Sequence, residues 1–240
     1  MDNYNNSSNY NTPDYYQSLS LPAMVSAAMK KVYLKMTLGL IVTGLVALYC
    51  STSQTFLTFL GGNMWFMWVM IALEFGLVIG ISAGIQKLPS ATATLLFYIF
   101  ALVNGLMLSP IFLVYTHASI AKTFFITAGT FGAMSVFGYT TNQDLTKVGN
   151  ILVMALIGLI IASLVNIFTQ SSTLDWIISI AGVIIFVGLT AWDTQQIKQM
   201  AQTMPHDQVG RLATIGALSL YLDFINLFLY LLRFFGSSRD

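Results

Sequence analysis

Two aspartates lie inside long apolar stretches near the C-terminus: Asp193 in IIFVGLTAWDTQQIK and Asp223 in LSLYLDFINLFLYLLRFF. A carboxylate at membrane depth is expensive and is retained where it has a task. Neither stretch holds a lysine or arginine close enough to neutralise its acid. Two such acids on consecutive spans point to a shared proton, a cation path, or both. If they touch, they cannot both ionise cheaply, and they titrate as a unit. With one proton they form a strong hydrogen bond; with none they repel. Their oxygens also suit Ca²⁺, a hard cation. Asp193 and Asp223 are therefore the candidate pH sensor and gate, and candidate transient Ca²⁺ contacts.

The neighbours of these acids share their helix faces. Gly216, Ser219, Asp223, Asn226 and Tyr230 recur at three- and four-residue steps on a helix otherwise made of Leu, Ile and Phe. Such a stripe faces protein or water rather than lipid. Thr190, Asp193 and Gln196 share a face in the same way. Glu74, near the middle of the second span, is a third buried acid. It either joins this network and lines the path, or is a protonated glutamate bonded to a neighbouring helix. Asn104, Ser109 and Asn166 are further oxygen donors of the kind that join helices.

The elements that must position these residues follow from composition. The chain has 240 residues, 56% hydrophobic and 8% charged, with mean hydropathy +0.75. Soluble domains carry roughly 25% charged residues, so the fold class is an all-α polytopic membrane protein. A net charge of +1 excludes the basic patch of a nucleic-acid binder. A single cysteine, Cys50, excludes an internal disulfide framework. His117 and His206 fall in turns on opposite sides of the membrane and cannot share a metal. No nucleophile elbow, zinc-protease helix, P-loop or dinucleotide fingerprint is present, so neither an enzyme nor a cofactor is expected.

Seven stretches reach the roughly 20 residues that a span requires: about 32–51, 64–86, 91–115, 120–140, 148–170, 174–198 and 209–234. Residues 1–22 are rich in Asn, Ser and Tyr and read as a disordered cytoplasmic tail before a domain over 23–236. They carry no basic region leading into an apolar core, so the first span is expected to be an uncleaved anchor. Pro110, after Ser109, should break or kink the third helix. Gly76, Gly80 and Gly84 form a stripe read as a close helix contact. Lys30, Lys31, Lys35, Lys87, Lys147, Lys198 and Arg211 lie towards the N-terminal side of the membrane, and Lys122, Arg233 and Arg239 towards the other. Seven basic residues against three place the N-terminus in the cytoplasm and the C-terminus outside.

Depth follows from where the helices end. If the sixth helix ends near residue 198, Asp193 lies about five residues, or ~8 Å, from that end, whereas Asp223 lies ~21 Å along the seventh. The two meet only if the sixth helix continues towards Met200 or the seventh begins nearer Leu212.

Three stretches carry a resemblance: Ala191-Trp192-Asp193-Thr194-Gln195, Leu220 to Phe228 around Asp223, and Phe137-Gly138-Tyr139-Thr140-Thr141 followed by Asp144-Leu145. Over about residues 22–236 the chain resembles the Bax inhibitor-1, or transmembrane Bax inhibitor motif, family in its short bacterial form. The resemblance implies six helices wrapped around a central C-terminal one. It also implies a pH-sensitive passive Ca²⁺ leak in the bacterial inner membrane, with Asp193 and Asp223 as a hydrogen-bonded pair. Two features depart from the family pattern. The aspartates are 30 residues apart, and the second span carries no basic residue before Lys87 to pair with them. A proton-coupled carrier of a small solute, or a non-transporting regulator binding membrane proteases or cell-death proteins, remain as alternative readings.

Overall fold

The computed structural model describes residues 20–238. Most of the tail read from the sequence, and Arg239, lie outside the described residues. The first helix, α1, is Leu21–Ser51, with Pro22 in its first turn, where a missing amide donor costs nothing. Leu21 and Pro22, read with the tail from the sequence, are helical. A short helix α2, Gln54–Gly62, is capped by the Ser53 hydroxyl accepting from the Phe56 amide. Then come α3, Met64–Gly84; α4, Ser90–Leu108; a single turn α5, Ile111–Val114; and α6, His117–Thr140. Next are α7, Thr146–Thr169; α8, Ser172–Thr203; and α9, Val209–Phe235. The break between α4 and α5 falls at Ser109-Pro110, as expected for a ring that removes a donor and crowds the preceding turn. Among the described residues, counting α4 and α5 as one span, seven helices are long and apolar enough to cross a membrane.

Burial ranks the helices. In its most apolar stretch α9 is 67% buried, and α7 is 6% buried. The helix α9 packs on α1, α4, α6 and α8 and touches α3. The helix α7 lies outside and packs chiefly on α8. Along the α8–α9 seam, Gly216 faces Ile197, and Tyr230 covers Gly182 and stacks on Phe186 at 5.9 Å. Residues 216, 223 and 230 thus run antiparallel to 197, 193 and 186. The predicted polar stripe faces protein, as its cost in lipid requires.

The glycine stripe of α3 does not do what its spacing suggests. A side chain at Gly76 or Gly80 would meet nothing within 4 Å, and Gly84 touches only Leu88, four residues on. Periodicity shows that small residues share a face, not that another helix is opposite. The close crossings lie elsewhere. Gly138 of α6 sits against the Ala191 carbonyl of α8, and Gly105 of α4 lies 2.8 Å, measured to its would-be Cβ, from the Thr43 carbonyl of α1. Gly138→Ala would push a methyl into a backbone that cannot turn aside. It is expected to cost about 1–3 kcal/mol and to lower the thermal midpoint of the detergent-solubilised protein. Gly80→Ala, in open space on a helix, should leave it unchanged or raise it. Equal midpoints for the two variants would refute this assignment of the crossings.

Candidate functional site

The motif closing α8 anchors four neighbours in succession. Trp192 lies on Gly149 of α7, where no side chain would fit. Asp193 meets Asp223 of α9, the two carboxyls in hydrogen-bonding contact. The Thr194 hydroxyl approaches that of Ser135 on α6 at 3.5 Å. Gln195 is buried and clamps the α6–α7 loop: its amide donates to the Gln143 carbonyl at 2.8 Å, and its oxygen accepts from the Leu145 amide at 2.9 Å. In the same loop the Thr146 hydroxyl and amide hold the exposed Asp144 carboxyl below the usual carboxylate range. Nearby, Lys198 donates to the Tyr139 carbonyl at 2.7 Å.

The aspartates meet because α8 runs on to Thr203, five residues beyond the end expected from sequence. That places Asp193 ten residues, or ~15 Å, from the helix end, deep enough to reach Asp223 across the turn at 204–208. The pair is asymmetric. Asp223 is 4% exposed, and among the described residues no amide or hydroxyl reaches its Oδ2, whereas Asp193 is only partly buried. Two basic side chains of the bundle are engaged elsewhere. Lys35 donates to the Thr94 and Thr214 hydroxyls at 2.7 Å each, joining α1, α4 and α9. Arg233 pairs with Asp175 at 2.9 Å at the far end of α9, an exposed bridge of about 0–1 kcal/mol.

The other candidate residues are not gathered at this pair. Thr190 donates to its own helix at Phe186, and Asn226 does the same at Leu222. Ser219 is part-buried on the same face of α9. Tyr230 belongs to the Arg233 end, with its ring 5.4 Å from that guanidinium. Glu74 lies in a separate network. It accepts from Asn104 at 3.1 Å, Asn104 meets Tyr221 at 3.0 Å, Tyr221 meets Thr43 at 2.6 Å, and Thr43 reaches the Ala101 carbonyl at 2.8 Å. Among the described residues no group of three or more His, Cys, Asp or Glu side chains converges as a metal cage.

This second network can be counted in hydrogens. Four contacts stand in line. With Glu74 as a carboxylate, Asn104, Tyr221 and Thr43 supply one hydrogen each, so one contact is always empty. A proton on Glu74, with the Asn104 amide turned over, supplies the fourth. Sequence reading missed Tyr221, whose ring is fully buried between Phe97 and Phe100 and which reads there as one more apolar residue.

With this geometry in view, the chain matches the family model described as Inhibitor of apoptosis-promoting Bax1 over residues 25–240. The chain belongs to the Bax inhibitor-1 family. It is 50% identical to the inner membrane protein YbhL of Escherichia coli K12, over 88% of this chain and 92% of that protein. A protein of Borreliella burgdorferi is 49% identical over the same shares, and one of Caulobacter vibrioides is 39% identical over the full length of both chains. All three motifs that carried the resemblance lie inside the matched region.

In this Bax inhibitor-1 family member, Tyr221→Phe would leave Asn104 and Thr43 short of a partner and is expected to cost about 1–3 kcal/mol. Glu74→Gln keeps a hydrogen for every contact and should be neutral or stabilising. Thermal unfolding in detergent distinguishes the two. A Gln variant as damaged as the Phe variant would mean that the Glu74 carboxylate itself is required.

Proposed function

We propose that the protein is a passive leak for Ca²⁺ or small cations in a bacterial inner membrane, closed by the shared proton of Asp193 and Asp223 and opened as that proton leaves. The observation that carries this reading is the carboxyl–carboxyl contact at the α8–α9 seam, sealed at Asp223 and partly accessible at Asp193. Two carboxylates without counter-charge repel in a region of low dielectric. The contact binds a proton that the separated groups release, so acid favours contact and rising pH favours separation. Asp193, the more accessible partner, exchanges the proton with solvent. Once parted, the two acids offer oxygen ligands to a cation moving along the stripe of α9. Ca²⁺ takes about 6–8 oxygens, so two carboxylates make a passing contact rather than a resident site.

The inner-membrane location is supported by the printed name of the E. coli relative. The N-terminus-inside orientation is supported by the basic residues. Among the described residues, seven cations lie towards the N-terminal side of the bundle, and Lys122 and Arg233 towards the other. The family description names an inhibitor of a cell-death protein, which keeps a regulatory reading as the rival.

Ca²⁺ influx into proteoliposomes is the test, with protection of a C-terminal tag from added protease reporting orientation in the same vesicles. Flux is expected to rise from acid to alkaline pH in the native protein. Asp193→Asn/Asp223→Asn, whose amide contact needs no shared proton, should give flux insensitive to pH. Native flux that matches empty vesicles at every pH, or a double variant with unchanged pH dependence, would remove this reading.

A further inference from the structure

We infer that an anionic phospholipid binds in the groove between α1 and α6, with its head group at Lys30 and one acyl chain against the floor formed by Phe224. The two helices both pack on α9 without packing closely on each other, which leaves a cavity of about 780 Å³. Its wall on α1 runs from Ser26 to Leu40, and its wall on α6 from Tyr139 to Phe124. Fourteen and fifteen helical steps are ~21 and ~23 Å. One leaflet, with half of a ~30 Å hydrocarbon core and one head-group layer, is ~20–22 Å thick. The groove therefore has the depth of a single leaflet.

Its chemistry is graded along that depth. The deep part is lined by Leu40, Phe124, Ala128 and Phe131, and the shallow end by Lys30, which is exposed, and Tyr139. Lys198 stands at the same end, its ammonium 5.0 Å from the centre of the Tyr139 ring. A lining cation at the mouth, a second beside Tyr139 and apolar walls below match an amphiphile with a negative head. The Asn/Ser/Tyr-rich residues 1–19 have no such apolar face to offer these walls. The occupied groove would lie next to the aspartates, since Phe224 follows Asp223 and Ser135 on its wall meets Thr194.

Gly132 supplies the test, because a side chain built there meets nothing within 4 Å and would enter the groove. Protein is reconstituted in equal mixtures of phosphatidylglycerol and phosphatidylethanolamine, released into mild detergent, and its retained lipid measured by native mass spectrometry. One retained phosphatidylglycerol per chain is expected. Lys30→Gln should weaken the preference for phosphatidylglycerol about fivefold, the effect of one basic residue near a membrane surface. Gly132→Phe should abolish retention with an unchanged thermal midpoint. Ala128→Leu, a smaller plug in the same groove, replaces it if the phenylalanine variant misfolds. Equal retention of the two lipids, undiminished retention in the plugged variant, or crosslinks showing residues 1–19 or a second copy in the groove would each overturn the inference.

Discussion

The α8–α9 seam is built around a contact that is unfavourable unless a proton is present. A single aspartate at the centre of a spanning helix costs about 2.5–3.5 kcal/mol on insertion scales. Here two are placed against each other, and among the described residues no amide or hydroxyl reaches the Asp223 Oδ2. The surrounding structure fixes this arrangement. Heptad-spaced Gly216, Asp223 and Tyr230 set the register against Ile197, Asp193 and Phe186, and the residues flanking Asp193 are tied to three further elements. The cost of the pair is thus offset by packing that would be lost if either helix slid by one turn.

Two acidic networks coexist in the bundle, and they differ in kind. Glu74 ends a line of neutral hydrogen-bonding groups linking α3, α4, α9 and α1. Every partner there can donate or accept, so a proton on Glu74 satisfies the line without moving a helix. The aspartate pair has no such neutral partner to take up the change. Loss of its proton converts attraction into repulsion between two helices, and that makes it the better candidate for a gate.

Much of this was legible in the sequence. The seven spans, the break at Pro110 and the inward polar stripe follow from segment length, ring chemistry and the cost of polar groups in lipid. The contact of Asp193 with Asp223 was not secured, because it depends on where α8 ends. Gln195 holds α8 to the α6–α7 loop and Lys198 holds it to the last turn of α6, and such long-range contacts leave no local signal. The α3 glycines were misread for a related reason: spacing reports a shared face but not what faces it. Gly138 and Gly149 lack any repeat, yet they make the tight contacts with Ala191 and Trp192. Tyr221 was hidden by its ring, since its hydroxyl alone connects the Glu74 line.

The most direct measurement is the infrared titration of protonated carboxyl groups in lipid vesicles, made in a Glu74→Gln background so that only the aspartates remain at this depth. The expected result is one protonated-carboxyl band per chain that disappears as pH rises and is absent when Asp193 or Asp223 alone is replaced by Asn, because the remaining carboxylate then accepts from the amide and needs no proton. A band that survives replacement of both aspartates, or no such band at any pH, would contradict a proton shared between α8 and α9.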